Sequence, residues 1–223
     1  MHLGADSTMF TVETPSIEQP SAASSTLYEM TRRVFDTSVA LAVMFVLSPL
    51  MLVLCVSILV TQRSWPIFTH DRIGRGGEPF KMFKLKTMRG DRRNRQSDID
   101  FACRRRSHKT RIDPRVTRFG RFLRRTALDE LPQLWNVVRG DMSLVGPRPE
   151  LPNIVARYET WQHRRHEVRP GLTGWWQVMG PPDAPMHEHV EYDLHYVENR
   201  SWALDLRIMW MTFGVLVRGR GRY

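Results

Sequence analysis

The apolar positions of this chain fall into three patterns, each predicting a different element. The first is a block. From Thr37 to Gln62 all 26 residues are uncharged, with Arg32 and Arg33 ahead of them and Arg63 behind. At about 1.5 Å per residue a straight helix of that length reaches roughly 39 Å, more than the roughly 30 Å of a bilayer core. The block therefore predicts a membrane helix. Pro49, after Ser48, stands near its middle. Proline removes the N–H that would bond the Phe45 carbonyl and favours a kink. The Ser48 hydroxyl is placed to satisfy a freed carbonyl nearby. Each arm is then about 20 Å long, too short to cross alone. A kinked single-pass helix and a re-entrant helix-break-helix both fit. The basic flanks, and the basic body after Arg63, place that body in the cytoplasm.

The second pattern is short and strand-like. Pro66-Ile67-Phe68-Thr69 and Phe80-Lys81-Met82-Phe83-Lys84-Leu85 flank Gly74-Arg75-Gly76-Gly77, which predicts a hairpin with a long glycine turn. These glycines make no dinucleotide fingerprint, because Pro79 takes the third glycine position and no strand-turn-helix unit follows. The third pattern is helical. Val116, Phe119 and Leu123 form an apolar stripe, while Arg115, Arg118, Arg121 and Arg124 recur every three residues. Trp202, Leu206, Met209, Trp210 and Phe213 cluster at helical spacing ahead of Arg218, Arg220 and Arg222. Both helices suit an anionic membrane surface, and both also suit ordinary packing. Together the elements predict a helix-rich α+β chain in three parts. These are an unstructured tail over 1–28, a membrane segment over 29–64 and a membrane-associated body over 65–223.

Charge sharpens this picture. The 223 residues carry a formal net charge of +10, which points to an anionic partner such as a phosphate ligand, nucleic acid or membrane surface. The segment Arg89–Arg125 holds 14 Lys/Arg against 4 Asp/Glu, so it accounts for the whole surplus. Two cysteines exclude a disulfide scaffold, and Cys55 and Cys103 lie in dissimilar surroundings that make no zinc site. His163, His166, His187 and His189 lack ligand spacing. No Gly-x-Ser-x-Gly elbow is present. The tail lacks the basic start and immediate apolar core of a signal peptide.

Candidate chemistry gathers after the basic segment, in Arg124-Arg125-Thr126-Ala127-Leu128-Asp129-Glu130-Leu131-Pro132-Gln133. Pro132 suits a first helical turn, so Asp129 and Glu130 are expected at the start of a short helix ending near Gly140. That position and the adjacent arginines favour ionised carboxylates. An ionised Asp can act as a nucleophile and an ionised Glu can hold Mg²⁺; a plain helix cap accounts for the same residues. Downstream, Arg148 lies between Pro147 and Pro149. A stiff backbone there suits a guanidinium fork aimed at phosphate. Pro170-Gly171-Leu172-Thr173-Gly174 reads as a rigid loop, and Tyr192-Asp193-Leu194-His195-Tyr196 sets a carboxylate among aromatics.

At this point the chain resembles the bacterial sugar transferases, the monotopic polyprenyl-phosphate phosphoglycosyl transferases. The resemblance runs from about Arg32 to Val217. It is carried by Arg33-Val34-Phe35-Asp36 before the Ser48-Pro49 break, by Lys84-Leu85-Lys86-Thr87-Met88, and by Leu128 to Val137. It continues through Gly140 to Pro149, Arg169 to Trp175 and Asp193 to Tyr196. The resemblance implies a re-entrant helix broken at Ser48-Pro49, on the cytoplasmic face of a bacterial inner membrane. It implies transfer of a sugar 1-phosphate from a UDP-sugar to undecaprenyl phosphate, beginning an exopolysaccharide, O-antigen or related glycan. Asp129 is then the nucleophile and Glu130 a Mg²⁺ ligand. Arg124, Arg148, Lys84, Lys86 and Asp193 map onto substrate-binding positions.

Two departures from the family pattern concern the substrate. Lys86 stands where the family often has Arg, keeping the charge without the fork. Met179-Gly180-Pro181-Pro182 replaces the family's Asn-Gly-Arg. The rival expectation is a non-catalytic membrane-anchored protein that binds nucleic acid or anionic lipid. Retention of both carboxylates and both mapped arginines argues for the enzyme, with no nucleic acid expected. A homodimer is compatible with the sequence, which carries no signal for one.

Overall fold

In the computed structural model the described residues are 22–88, 116–181 and 186–217. Most of the basic segment, including Arg115, lies outside them, as do Arg218, Arg220 and Arg222.

The uncharged block forms part of one helix, α1, running Ala22–Gln62 with Pro49 inside it. It is long and apolar enough to cross a membrane. The carbonyl freed by Pro49 is satisfied as its chemistry requires, since the Ser48 hydroxyl donates to Phe45 O at 2.8 Å. The helix opens at Ala22, inside the stretch expected to be tail, because Tyr28 and Glu29 have tertiary partners there. Tyr28 donates to Asp205 at 2.8 Å, and Glu29 pairs with Arg75, Arg169 and Arg200.

The expected hairpin is present. Strand β1 (Ile67–Ile73) pairs antiparallel with β2 (Pro79–Leu85), in register from Ile67 opposite Leu85 to Ile73 opposite Pro79. A short 3₁₀ turn, Arg75–Gly77, closes it. Helix α2 (Arg118–Arg125) follows, its N-terminus capped by the Thr117 hydroxyl, which accepts from Gly120 N at 2.8 Å. Helix α3 (Gln133–Arg139) stops at Gly140, whose φ of 96° supplies the left-handed cap. A second sheet was not anticipated: β3 (Ser143–Val145) pairs in parallel with β4 (Gly171–Thr173). Three-residue strands are too short to show a period, which is why this stretch read as loop. The close approach explains Gly171, where a Cβ would sit 2.1 Å from Gly146 N. Four further helices complete the body: α4 (Pro152–Val155), α5 (Trp175–Met179), α6 (Glu191–Asn199) and α7 (Trp202–Val217).

The core has two parts. The larger joins Ala40 of α1 to Met82, Leu134, Val137, Val145, Tyr196 and Ile208. The smaller joins Leu54 and Ile58 of α1 to Leu85 and Leu123. Leu131 packs against both. Both arms of α1, before and after Pro49, thus pack on the same body. On its other side α1 exposes Phe45, Val46, Leu52, Val53, Val56, Leu59 and Val60, and α7 exposes Leu206, Trp210 and Phe213.

Arg32 and Arg33, expected as charged flanks of the block, are docked within the body. Arg32 is buried, donating to Val145 O and pairing with Asp205 at 3.3 Å. Asp205 also accepts from Tyr196 at 2.7 Å. Arg33 donates to the carbonyls of Val137 and Val138. Those are among the last carbonyls of α3, where a cation is electrostatically favoured. The first arm of α1 therefore caps α3.

Candidate active site

Asp129 and Glu130 lie in a 3₁₀ turn, Leu128–Glu130, that leads through Pro132 into α3. The residue before the turn, Ala127, holds a left-handed conformation at φ 55°. For a residue with a Cβ that costs about 1–2 kcal/mol. Local strain thus sits directly beside the dyad.

Asn136, fully buried on α3, fixes the dyad against the hairpin. Its side chain accepts from Phe83 N at 3.0 Å and donates to Lys81 O at 2.8 Å. This two-point grip on β2 brings Lys84 to Glu130, with Nζ 2.5 Å from Oε1. The same oxygen accepts from Arg148 at 3.1 Å. Arg124, in the last turn of α2, donates from Nε to the buried Thr87 hydroxyl at 2.9 Å, and its charge bears on Asp129.

The two carboxyls are both 8% exposed, yet their environments push them in opposite directions. Burial raises Asp129 to about 6, a rise that Glu130 adds to and that Lys84, Arg124 and Arg148 only partly offset. Burial acts on Glu130 as well, but Lys84 and Arg148 outweigh it and hold Glu130 down at about 2. Burial lowers Lys84 despite Glu130 beside it. Glu130 is thus held charged, in line with the sequence expectation, whereas burial shifts Asp129 against it, toward the neutral form, leaving it charged near neutral pH by a narrow margin. Asp129 accepts no hydrogen bond from the described residues, so its oxygens are available for chemistry.

Among the described residues no group of three His, Cys, Asp or Glu forms a metal cage. Magnesium does not require one, since it is typically held by one or two carboxylates together with substrate phosphates. Glu130 fits that role. Both of its cationic partners use Oε1, and Oε2 takes no hydrogen bond from the described residues.

The family model of the bacterial sugar transferases matches residues 27–219. The chain belongs to this family. It is 38% identical over 198 residues to a UDP-galactose-lipid carrier transferase of Erwinia amylovora, a match covering 86% of this chain and 41% of that protein. It is 36% identical over 213 residues to the exopolysaccharide production protein ExoY of Sinorhizobium fredii, covering 93% of this chain and 94% of that protein. It is 37% identical over 199 residues to an undecaprenyl-phosphate galactose phosphotransferase of Salmonella typhimurium, covering 86% of this chain and 41% of that protein. This transferase chain thus spans about two fifths of the first and third relatives and nearly all of the second.

The fold gathers Asp129, Glu130, Lys84, Arg148 and Arg124 into one site of this sugar transferase. Lys86 lies just past the end of β2; its backbone N–H bonds Pro66 O and its carbonyl accepts from Gln62. Asp193 is placed elsewhere. It is fully buried and paired with Arg165 at 2.6 Å, behind Arg148 rather than beside Glu130. Sequence reasoning passed over Asn136, Thr87 and Arg165. Asn136 and Thr87 stand inside the motifs that carried the resemblance. Arg165, within Arg164-Arg165, gives no sign in the sequence that one of the two arginines is buried.

Proposed function

We propose that this protein transfers a sugar 1-phosphate from a UDP-sugar to undecaprenyl phosphate through a covalent intermediate on Asp129. The observation that supports it is the divided dyad. Glu130 is engaged by two cations, while Asp129 beside it is charged near pH 7 and accepts no hydrogen bond from the described residues. The names of the relatives supply the two substrates.

In the first half-reaction an Asp129 oxygen attacks the β-phosphorus of the donor. The bond from that phosphorus to the bridging oxygen breaks, and UMP leaves with the oxygen and its electron pair. In the second half-reaction an oxygen of the lipid phosphate attacks the aspartyl phosphate. The acyl–phosphate bond breaks and Asp129 returns as carboxylate. Arg148 and Arg124 supply fixed positive charge to the diphosphate oxygens, and Lys84 holds Glu130 in place. Magnesium, held by Glu130 together with substrate phosphates, would add charge neutralisation at the diphosphate.

The same reading makes α1 re-entrant, with the body on the cytoplasmic face of the inner membrane. A straight helix of 41 residues extends about 60 Å. Packing of both arms on one body, with Ser48-Pro49 between them, supports a segment that dips into the bilayer and returns. The exposed Trp210 and Phe213 of α7 suit the interface beside it.

The test is UMP release from a panel of UDP-sugars, with the protein in nanodiscs containing undecaprenyl phosphate and Mg²⁺. Release with one sugar, abolished by EDTA and by Asp129→Asn, is the expected result. Silence across the panel beside an active control enzyme would overturn it. A cysteine introduced before Arg32 should be closed to periplasmic labelling reagents; labelling from that side would refute re-entry.

A further inference from the structure

Arg148 reaches Glu130 from a segment whose backbone is held carbonyl by carbonyl. Pro147 O accepts from Gly171 N at 2.9 Å, Arg148 O from Arg165 at 2.7 Å, Pro149 O from Arg72 at 3.3 Å and Glu150 O from Ile73 N at 3.0 Å. Two of the four donors are strand backbone N–H groups, and a third, the Arg72 guanidinium, projects from β1 and is paired with Glu150 at 3.6 Å. The fourth, Arg165, is a guanidinium buried to 2% exposure in a 3₁₀ segment, Thr160–Glu167, which offers no ladder to fix it. Something else must hold it. Asp193, at 0% exposure in the first turn of α6, takes it at 2.6 Å. Tyr158 accepts from its other terminal nitrogen at 2.6 Å.

A charge buried this deeply is costly unless it is paired and hydrogen-bonded. The terminal nitrogens of Arg165 meet that condition with Asp193, Tyr158, the Arg148 carbonyl and a longer contact to Met186 Sδ at 3.8 Å; of these the Arg148 carbonyl is the one that leads to the dyad. We propose that Asp193 and Arg165 form a positioning clamp that fixes the backbone of Arg148, and so the aim of its guanidinium, without either residue touching substrate. This rests on the transferase reading above and gives Asp193 a role other than substrate contact. A misplacement of about 1 Å at a phosphate-facing group can cost about 10²-fold in rate, so the clamp has ample leverage.

The experiment is a double-variant cycle in the full-length protein in nanodiscs, reading UMP release, UDP affinity by calorimetry and the thermal midpoint. The variants are Asp193→Asn, Arg165→Lys, Arg148→Ala and the pairs of each clamp variant with Arg148→Ala. Asp193→Asn and Arg165→Lys should each lower kcat/KM by about 10- to 100-fold. Neither should cost more than about a further twofold once Arg148 is Ala, because the group they aim is gone. Thermal midpoints should fall by the same amount in both backgrounds, since the buried pair is lost either way. Arg165→Lys keeps a charge for Asp193 but cannot serve every partner of the guanidinium, so it stands in if Asp193→Asn fails to fold.

Full additivity of the activity losses would overturn the clamp. So would a loss of UDP affinity on Asp193→Asn that persists undiminished in the Arg148→Ala background, since it would make Asp193 a direct ligand. The wild-type protein separates the two levels of the argument. If it neither binds UDP nor releases UMP, the transferase reading fails. If it does both and the cycle is additive, only the clamp fails.

Discussion

Two clusters of buried charge lie within the same body, and they are built to different rules. Around Arg32 every strong group has a partner. Asp205 takes Arg32, Tyr28 and Tyr196, and Arg32 also reaches Val145 O. Around Glu130 the arrangement is different. Lys84, Arg148 and Arg124 face two carboxyls, one oxygen of Glu130 takes two cations, and Asp129 accepts no hydrogen bond from the described residues. A strained Ala127 stands beside it. A satisfied cluster is an anchor. A cluster that sets several cations beside a carboxylate with no hydrogen bond from the described residues suits, on the proposed reading, a phosphate that arrives later.

The contrast can be broken at several points. The largest effect on activity is expected from Asp129→Asn, which should lower UMP release by about 10³-fold or more. Its thermal midpoint should hold or rise, since burial penalises the charge that the substitution removes. Near-wild-type turnover in that variant would end the nucleophile assignment. At the anchor the order reverses. Asp205→Ala leaves Arg32 buried and unpaired and should cost about 3–5 kcal/mol in denaturant unfolding. The kcat per folded molecule should be unchanged. A large loss of kcat without loss of stability would show that the two clusters are not separable.

Glu130→Gln falls between these extremes. It takes the shared carboxylate away from Lys84 and Arg148, whose side chains keep 20% and 28% exposure. The expected cost is therefore discounted to about 2 kcal/mol, together with a loss of turnover. The opposite signs of the Asp129 and Glu130 effects on the unfolding midpoint are the sharpest comparison available within the site.

The smallest effect is in the pH profile. Log kcat/KM should rise with pH and level off above about 6 as Asp129 ionises. Lys84→Gln should move that midpoint upward, because Lys84 is the leading group holding Asp129 down. A midpoint that stays fixed would remove Lys84 from the argument. Stability should depend on the same two groups with opposite signs. For Asp129, raised in the folded state, the contribution is present below its ordinary value near 4 and lost as pH rises through about 6. For Glu130, lowered in the folded state, it is present above its ordinary value and lost as pH falls toward 2.

What was legible in the sequence was local. The Ser48 hydroxyl on the Phe45 carbonyl, the glycine-closed hairpin, the dyad at the entry to α3 and the stop at Gly140 each follow from residues within a few positions of one another. The span Trp202–Val217 announced itself by helical spacing. What was not legible depends on residues far apart in the chain. Strands β3 and β4 are joined across more than twenty residues by pairing too short to leave a period. Arg165 meets Asp193 across 28 residues, and Arg33 meets Val138 across 105. Charge patterning placed Arg32 and Arg33 at a membrane boundary because it counts charges and cannot see what they bond. Asp193 was assigned by the company it keeps in a motif, and the motif carries no record of which way a side chain faces.

The docking of Arg33 on the end of α3 bears on how such a protein can change over time. Anchor and catalyst are not interchangeable modules, because one arm of the anchor completes the electrostatics of the helix that follows the dyad. A chimera joining the membrane segment of one relative to the body of another would need to inherit the Arg32–Asp205 and Arg33–Val138 contacts as a set. Descent should therefore tolerate drift along the lipid-facing side of α1 while holding its inner side to the history of the body it grips.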